Sequence, residues 1–235
     1  MKNKKNENRN YWINGKRNKV FKKKYKSKKK KIYDYVFYIG KINNIQIIIL
    51  KSNIGKVSSS IATTLLIHIF KPNLILNIGT AGSLTKKLNA GDLAIATKIR
   101  YFDVDLRTFN YNIGQIPNCP IFFKTTKLYN KQIKSVMYKK KYNFLEGLII
   151  SGDTFIATNT KKIIIKKNFP KSIAVDMECA AVAHVCHVLH IPLITIKIIS
   201  DKSDKNGKSD FKNFINKSGK IIFLIVSSIL KEITK

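Results

Sequence analysis

Two carboxylate residues that each follow an apolar run are the first candidates for chemistry. In "IAVDMEC" (173–179), Glu178 comes just before a helical stretch, and in "IISDKSD" (198–204), Asp201 ends an apolar run beside Ser200. A carboxylate at a helix N-terminus accepts two hydrogen bonds at once, as vicinal sugar hydroxyls would offer. An aspartate kept partly protonated donates a proton to a leaving-group nitrogen. Taken singly, Glu178 is also explained as a helix cap and Asp201 as the start of a loop.

The run "ECAAVAHVCHVLH" (178–190) raises the alternative of a metal site, because it carries three histidines and two cysteines. Around a helix, His187 lies about 60° from both His184 and His190. Metal sites commonly use histidines four residues apart, or a Cys-x-x-Cys pair, with a third ligand nearby. The run is also rich in Ala and Val, which is typical of a tightly packed helix. The sequence therefore predicts a buried helix whose histidines have local partners, and no metal site at Cys186 or the histidines.

A third candidate, "NIGTAGS" (77–83), follows a short apolar run with small residues. Small side chains let backbone amides approach a ligand. The stretch has neither the G-x-G-x-x-G pattern nor the pattern of a phosphate-binding loop, so it indicates no nucleotide fingerprint. Taken alone, it is explained equally well by a tight turn.

Alternating strands and helices are predicted to position these residues. Buried-strand runs occur in "NLILNIG", "GLIIS", "IAVDM" and "PLITIKIISD", a hairpin is predicted around Asn43-Asn44, and helical spacing appears at 57–70 and in later segments. The order predicts an α/β fold with three layers, in which helices flank a mixed, largely parallel central sheet. Ligands of such sheets bind beyond the carboxyl ends of strands. One site is expected where "NIGTAGS", "SGDTFI", "VDMEC" and "IISDKSD" meet.

The charge of the chain is the main argument for a nucleic-acid partner, and its distribution weakens that argument. The formal net charge is +32, of which residues 1–31 contribute +14 from 15 Lys/Arg and one Glu. The other lysines are scattered along every segment, as a drift toward A/T-rich codons would produce. No RNP, zinc-finger or helix-turn-helix signature accompanies the charge. Nucleic-acid binding is therefore not expected.

The lysine-rich segment 1–31 differs in composition from the domain predicted over 32–235. The segment is expected to be a solvated tail without a buried strand, and it lacks the apolar core of a secretory signal. No apolar run reaches the length of a membrane span. Three cysteines cannot all pair, which favours a reducing cytoplasm.

The order and spacing of six motifs resemble a known family. "SNIGKV", "NIGTAGSL", "GQIPNCP", "SGDTFI", "VDMECAAVAHVCH" and "ISDKSD" are similar to those of the bacterial 5′-methylthioadenosine/S-adenosylhomocysteine nucleosidases, in the nucleoside phosphorylase superfamily. The resemblance runs from about residue 39 to the C-terminus. It implies hydrolysis of the N-glycosidic bond of thioether adenine nucleosides through an oxocarbenium-like transition state. It implies no metal and no organic cofactor.

The resemblance also implies roles for individual residues. Asp201 matches the residue that protonates the adenine ring, with Ser200 beside it, while Glu178 accepts the ribose hydroxyls and Met177 packs on the sugar and thioether. The remaining matches form the walls of the pocket. Phe155 stacks on adenine, and the backbone of Ile156 hydrogen-bonds the edge of the base. The base and ribose are flanked by Thr80, Ala81 and Gly82. The slot for the 5′ substituent is lined by Ile54 and Phe211 and by a partner subunit's Leu106, Phe109 and Pro117. A site completed by a neighbour implies a homodimer.

Two departures from the family pattern keep alternatives open. Lys197 stands where the family commonly has an arginine. Lysine keeps the positive charge but lacks the rigid, forked guanidinium group of arginine. Gap-free extension places Lys16 where the family has the glutamate that activates water. A catalytically impaired homologue that binds adenine nucleosides is one alternative. A purine nucleoside phosphorylase is another, although from Ile32 onward the chain offers only Arg100 and Arg107 for phosphate.

Overall fold

One mixed sheet of ten strands organises the part of the chain that the structure describes. The structure is a computed structural model, and it describes residues 10–14, 27–43 and 45–233, with side chains for all except 10–14, 212–213 and 215–220. In chain order the strands are β1 (Asn10–Asn14), β2 (Lys28–Ile32), β3 (Tyr35–Ile42), β4 (Ile45–Leu50), β5 (Leu74–Ser83), β6 (Leu93–Tyr101), β7 (Phe123–Lys124), β8 (Phe144–Ser151), β9 (Ser172–Asp176) and β10 (Leu193–Asp201).

The sheet closes on itself in the region that carries the predicted site residues. The strand order is β10-β6-β8-β9-β5-β1-β4-β3-β2, and β10 also pairs with β5. Strands β5, β9, β8, β6 and β10 therefore form a closed, barrel-like ring, and β1 to β4 extend from it as an arm. Half of the ten strand pairings are parallel, among them β10 with β5 and β8 with β9. The predicted α/β class with a mixed central sheet is confirmed.

Helices cover the sheet on both sides. They are α1 (Lys56–Phe70), α2 (Asn130–Lys139), α3 (Asn159–Asn168), α4 (Cys179–Val188) and α5 (Gly207–Ile233), with a short 3-10 turn at Arg107–Phe109. One buried cluster packs α1 and α4 on the sheet, a second packs α2 and α5, and a third, smaller one includes Ile165 of α3. These apolar faces, rather than local propensity, hold the helices in place.

The expectation that residues 1–31 hold no buried strand is wrong at residues 10–14. Strand β1 lies between β4 and β5 and is parallel to both, so it is an internal strand of the sheet. Its sequence, "NYWIN", holds three good strand formers among polar and basic neighbours, which is too short a run to stand out. Strand β2 pairs antiparallel with β3 and exposes its four lysines, 28–31. For residues 1–9 and 15–26, outside the described ranges, the solvated tail stays a prediction.

The other predicted elements agree with the structure. The hairpin is formed by β3 and β4, and Asn43 has a φ of 48°, as its turn requires; Asn44 lies outside the described residues. Residues Leu93–Tyr101 form the single strand β6. Within the described residues, no helix is both long and apolar enough to cross a membrane.

Candidate functional site

The four predicted segments meet at the strand ends of the closed ring. Across β5 and β10, Asp201 lies opposite Gly82, and across β5 and β9, Gly82 lies opposite Val175. Across β8 and β9, Ser151 lies opposite Asp176. The carboxyl ends of β5, β8, β9 and β10 are thus brought to one place, as expected for a ligand site in a sheet of this kind.

Asp201 is held in a buried pocket by hydrogen bonds on both carboxyl oxygens. Its residue is 2% exposed; Ser200 Oγ donates to Oδ2 at 2.7 Å, and the backbone N–H of Ser203 donates to Oδ1 at 2.9 Å. Burial raises the pKa of Asp201, and the hydrogen bonds from Ser200 and Ser203 only partly oppose the rise. The site therefore favours a protonated carboxyl at higher pH than an exposed aspartate would, as a general acid requires.

Gly82 makes this pocket possible because a side chain there would collide with its neighbours. An added Cβ would lie 2.0 Å from Ser203 Oγ and 2.9 Å from Asp201 Oδ1. Only glycine allows strand β5 to approach the Asp201 loop so closely. The small residues of "NIGTAGS" thus serve the packing of the acid as well as the approach of a ligand.

A cavity opens beside Asp201. Its lining combines two acids with apolar walls: Gly82, Thr154, Phe155, Ile156, Val175, Asp176, Met177, Asp201 and Ser203. The Phe155 and Phe211 rings meet edge to face, with their centroids 5.5 Å apart. Phe155 is 39% exposed, so its ring is available to a flat ligand. A slot of this composition suits a planar base that presents a protonatable nitrogen to Asp201.

Glu178 lies directly after Met177 of this lining and contacts a second loop. The backbone N–H of Gly55 donates to Glu178 Oε1 at 3.2 Å. Gly55 has a φ of +94°, which a residue with a side chain rarely adopts, and it caps the start of α1. Glu178 itself precedes α4, and its side chain accepts no capping hydrogen bond from the backbone of that helix. The capping explanation for Glu178 is therefore not the one that the structure favours.

A buried ion pair lies behind Glu178. Lys197 Nζ is 2.8 Å from Asp176 Oδ2, with the side chains 2% and 1% exposed. Asp176 also accepts hydrogen bonds from Ser151 Oγ and the Cys179 N–H, which places it at the start of α4. Burial opposes both charges, yet the attraction of Lys197 keeps the pKa of Asp176 lowered, and that of Asp176 keeps the pKa of Lys197 raised. Lys197 does not line the cavity, but its charge lies close enough to Glu178 for the two to attract each other, and its pair with Asp176 holds the start of α4.

An ion network links the loops at the mouth of the site. Lys56 Nζ lies 2.6 Å from Asp103 Oδ2 and 4.0 Å from Asp153 Oδ2. The N–H of Lys56 donates to Asp153 Oδ1 at 2.8 Å, and the N–H of Asp153 donates to Asp103 Oδ2 at 2.9 Å. Because Lys56 follows Gly55, these bonds fix the loop whose amide contacts Glu178.

The histidines of α4 have the local contacts predicted for them or face solvent. His184 Nδ1 is 3.3 Å from the Tyr101 hydroxyl, its Nε2 is 3.2 Å from Cys119 Sγ, and its ring stacks on Phe123. His187 is exposed. Across residues 10–14, 27–43 and 45–233, no three His, Cys, Asp or Glu side chains lie close enough together to hold a metal ion.

Comparisons with known proteins agree with this geometry. The family model described as "Phosphorylase superfamily" matches residues 15–231. A relative from Buchnera aphidicola subsp. Baizongia pistaciae, named 5′-methylthioadenosine/S-adenosylhomocysteine nucleosidase, is 45% identical over 87% of this chain and 81% of its own. Among solved structures, the nucleosidase of Neisseria meningitidis with methylthio-immucillin-A has a TM-score of 0.90 at 29% identity, covering 95% of this chain and 99% of that one. The Colwellia psychrerythraea nucleosidase, solved with adenine, has a TM-score of 0.90 at 29% identity, covering 96% of each chain.

The chain belongs to the 5′-methylthioadenosine/S-adenosylhomocysteine nucleosidase family of the phosphorylase superfamily. The nucleosidase fold brings together Asp201, Gly82, Phe155, Ile156 and Met177 around one cavity. Ser200 lies immediately behind, where its Oγ donates to Asp201.

Other predicted residues of the nucleosidase do not line this cavity. Lys197, Ala81 and Ser200 are buried; Thr80, Glu178, Phe211 and Leu106 are half-buried; Ile54, Phe109 and Pro117 are exposed. Ile54 is 56% exposed and Phe109 is 70% exposed, so their proposed contact with a 5′ substituent would lie at the surface of the subunit. Their binding roles stay predictions.

Three functional features were missed by sequence reasoning. Ser203 lines the cavity next to Asp201, Asp176 partners Lys197, and Lys56 links Asp103 with Asp153. Asp176 stands inside the quoted motif "VDMEC", and Lys56 inside "SNIGKV". Their partners come from distant segments, however, and only strand pairing reveals them.

Proposed function

We propose that this nucleosidase hydrolyses the N-glycosidic bond of 5′-methylthioadenosine and S-adenosylhomocysteine, releasing adenine and the thioribose. The observation that carries the proposal is the buried Asp201, whose pKa is raised by burial, in a cavity that it shares with Phe155 and Met177. The 45% identical relative bears the name of this activity. The protein is thus assigned to methionine salvage and to the removal of a methyl-transfer by-product.

The chemistry follows from the positions of the two carboxyl groups. Asp201 gives its proton to a ring nitrogen of the base, and the bond between C1′ and the base breaks with its electron pair going to the base. Glu178, ionised, accepts hydrogen bonds from the ribose hydroxyls and steadies the oxocarbenium-like sugar. Water adds to C1′ and loses a proton, which restores the charge balance. The position matched to the water-activating glutamate is Lys16, outside the described residues, so this proton is assigned to no side chain.

The arginines argue against phosphorolysis, the closest alternative. Arg100 lies between two rings, with Cζ 5.1 Å from the centre of Phe122 and 5.4 Å from that of Phe169. Arg107 is exposed and bonds to Asp105 at the surface. Neither arginine lines the cavity, so the described residues offer no arginine for phosphate next to Asp201.

Release of adenine in phosphate-free buffer tests the proposal. The purified full chain is incubated with 5′-methylthioadenosine, and free adenine and methylthioribose are measured by chromatography and mass spectrometry. Equal amounts of both, unchanged by added phosphate, are expected. Adenine that appears only with phosphate, together with the 1-phosphate of the sugar, would make the chain a phosphorylase. Binding of substrate without release would make it an impaired homologue.

Replacing Glu178 by glutamine is expected to lower kcat/KM for 5′-methylthioadenosine about 10- to 100-fold. The amide keeps the shape but loses charge-assisted hydrogen bonds, each of which is worth roughly 1.5–3 kcal/mol. Glu146→Gln is the matched control, since Glu146 pairs with Lys134 in a partly exposed salt bridge away from the cavity. If Glu178→Gln is as active as Glu146→Gln, the proposed role of Glu178 in binding the ribose hydroxyls is wrong.

We also propose a homodimer that works in the cytoplasm. Large apolar side chains are exposed near the loop that contacts Glu178, among them Ile54, Val57 and Ile61, and Phe109 is exposed on the 3-10 turn. A second subunit would cover such residues, as the partner's Leu106, Phe109 and Pro117 are expected to do. Sedimentation equilibrium should then give twice the mass of the 26.9 kDa chain.

A further inference from the structure

A loop that lines the cavity also contacts the start of helix α1. In this loop, residues 152–156, the cavity is lined by Thr154, Phe155 and Ile156, and Asp153 directly precedes them. Asp153 Oδ1 accepts the N–H of Lys56, the first residue of α1, at 2.8 Å. The hydrogen bond thus joins two distant segments of the chain, the cavity lining and the loop before α1.

Asp153 supplies the cap that α1 lacks. The first N–H groups of a helix have no partner within it, and a side chain commonly accepts one of them. Gly55 stands at the N-cap position of α1 and has no side chain to do so. A Cβ added at Gly55 would lie 3.1 Å from Asp153 Oδ1, so the carboxylate occupies the space beside the glycine. The positive end of the helix dipole also favours a carboxylate there.

The loop before α1 also reaches the proposed sugar-binding acid. The N–H of Gly55 donates to Glu178 Oε1 at 3.2 Å. Asp153 holds the next N–H along the chain, that of Lys56. Through these two consecutive N–H groups, the loop that carries Phe155 is connected to the carboxylate that would accept the ribose hydroxyls.

Each of the two loops has an anchor of its own. The N–H of Gly152 donates to the backbone oxygen of Asp176 at 3.2 Å. The backbone oxygen of Gly55 accepts the N–H of Ser59 at 3.1 Å and the Oγ of the same serine at 2.9 Å. Loss of the Asp153 carboxylate should therefore leave both loops folded and change chiefly their placement relative to each other.

We propose that Asp153 is a positioning residue, which sets the distance between the Phe155 ring and the Glu178 carboxylate. This inference rests on the proposed function. Asp153 is not part of the cavity lining, so it acts through the N–H of Lys56. A ligand that contains both a base and a ribose depends on this distance, and a free base does not. Asp103 supports the contact, since its Oδ2 accepts the Asp153 N–H and pairs with Lys56 Nζ, so the expected effect is that of one hydrogen bond.

The test compares two ligands in calorimetric titrations of the full chain. One is free adenine, and the other is the C-nucleoside analogue of 5′-methylthioadenosine, in which a carbon–carbon bond prevents hydrolysis. Asp153→Ala is expected to weaken binding of the analogue about three- to tenfold and to change that of adenine less than about twofold. The value of kcat/KM for 5′-methylthioadenosine should fall by the same factor as the affinity for the analogue. Asp153→Asn should recover most of the loss, because its amide oxygen can still accept the Lys56 N–H.

Asp92→Ala provides the matched control. Asp92 Oδ2 also accepts a backbone N–H, that of Asn89 at 2.7 Å, and joins it to Asn143 Nδ2 at 2.8 Å, but Asp92 lies outside the cavity lining. Its removal should leave the binding of both ligands unchanged. The proposal would be overturned if Asp153→Ala weakened adenine and the analogue equally, or weakened neither. Equal losses in Asp153→Asn and Asp153→Ala would also overturn it.

The binding measurements separate this inference from the proposed function, because they do not depend on turnover. A chain that shows the expected difference between the two ligands but releases no adenine from 5′-methylthioadenosine would overturn the proposed hydrolysis and uphold the role of Asp153. A chain that releases adenine, and in which Asp153→Ala binds both ligands as Asp92→Ala does, would uphold the hydrolysis and overturn the role of Asp153.

Discussion

Asp201→Asn is expected to slow adenine release about 10²–10⁴-fold, because the amide has no acidic proton for the departing base. The amide oxygen can accept the hydrogen bond from the Ser203 N–H, and the amide NH2 can donate to Ser200 Oγ, because a hydroxyl also accepts; the loop should therefore keep its shape. Single-turnover rates with 5′-methylthioadenosine measure the effect. Asp204→Asn, a change in the same loop outside the cavity lining, should stay close to the unmodified enzyme.

The pH dependence of the same enzyme provides a second reading of Asp201. Burial raises its pKa, and it acts in its protonated form. The rate of adenine release is therefore maximal at pH values below the raised pKa of Asp201, and it falls as the pH increases through that pKa. This fall should be absent from the residual activity of Asp201→Asn. If Asp201→Asn releases adenine at a rate within threefold of the unmodified enzyme, and that rate falls with pH in the same way, another group donates the proton.

Lys197→Met is expected to lower the free energy of unfolding by about 3–5 kcal/mol, since it leaves Asp176 buried without its cation. For a chain of this size, each 1 kcal/mol shifts the melting temperature by roughly 2–4 °C, so a large fall is expected in calorimetry. Lys134→Met is the matched control. It breaks the partly exposed pair with Glu146, which is worth about 0–1 kcal/mol.

The effect of Lys197 also has a defined pH window. Lys197 holds the pKa of Asp176 below its ordinary value although burial opposes this. The stability that the pair contributes is therefore present above the unfolded aspartate value, about 3.9, and is lost as pH falls through the lower folded value. The difference between the unmodified chain and Lys197→Met should narrow in strong acid. The stabilising role of the Lys197–Asp176 pair would be contradicted if the difference in the free energy of unfolding between the two proteins were small at neutral pH, or if it increased on acidification.

Strand ends were predictable from the sequence because apolar runs stop where polar residues begin. The runs before Thr80, Glu178 and Asp201 gave both the strands and the prediction that their ends meet. The fold class followed from the same alternation. These are local signals, and the register of β5, β9 and β10 brings them together as expected.

Features that depend on pairing between distant segments were not predictable. Strand β1 is a five-residue run in a lysine-rich setting, and its place between β4 and β5 depends on its neighbours. The partnership of Lys197 with Asp176 depends on where two strands lie in the ring. The exposed orientation of Ile54 and Phe109 likewise depends on loops that no periodicity describes.

The most direct test of the central claim is a crystal structure of the chain with a non-hydrolysable 5′-methylthioadenosine analogue. In that structure we expect the base to lie against the Phe155 ring, with a ring nitrogen about 2.6–3.2 Å from an Asp201 carboxyl oxygen. Both ribose hydroxyls should lie at similar distances from the Glu178 carboxylate. A ligand bound with its base away from Asp201, or with its sugar out of reach of Glu178, would contradict it.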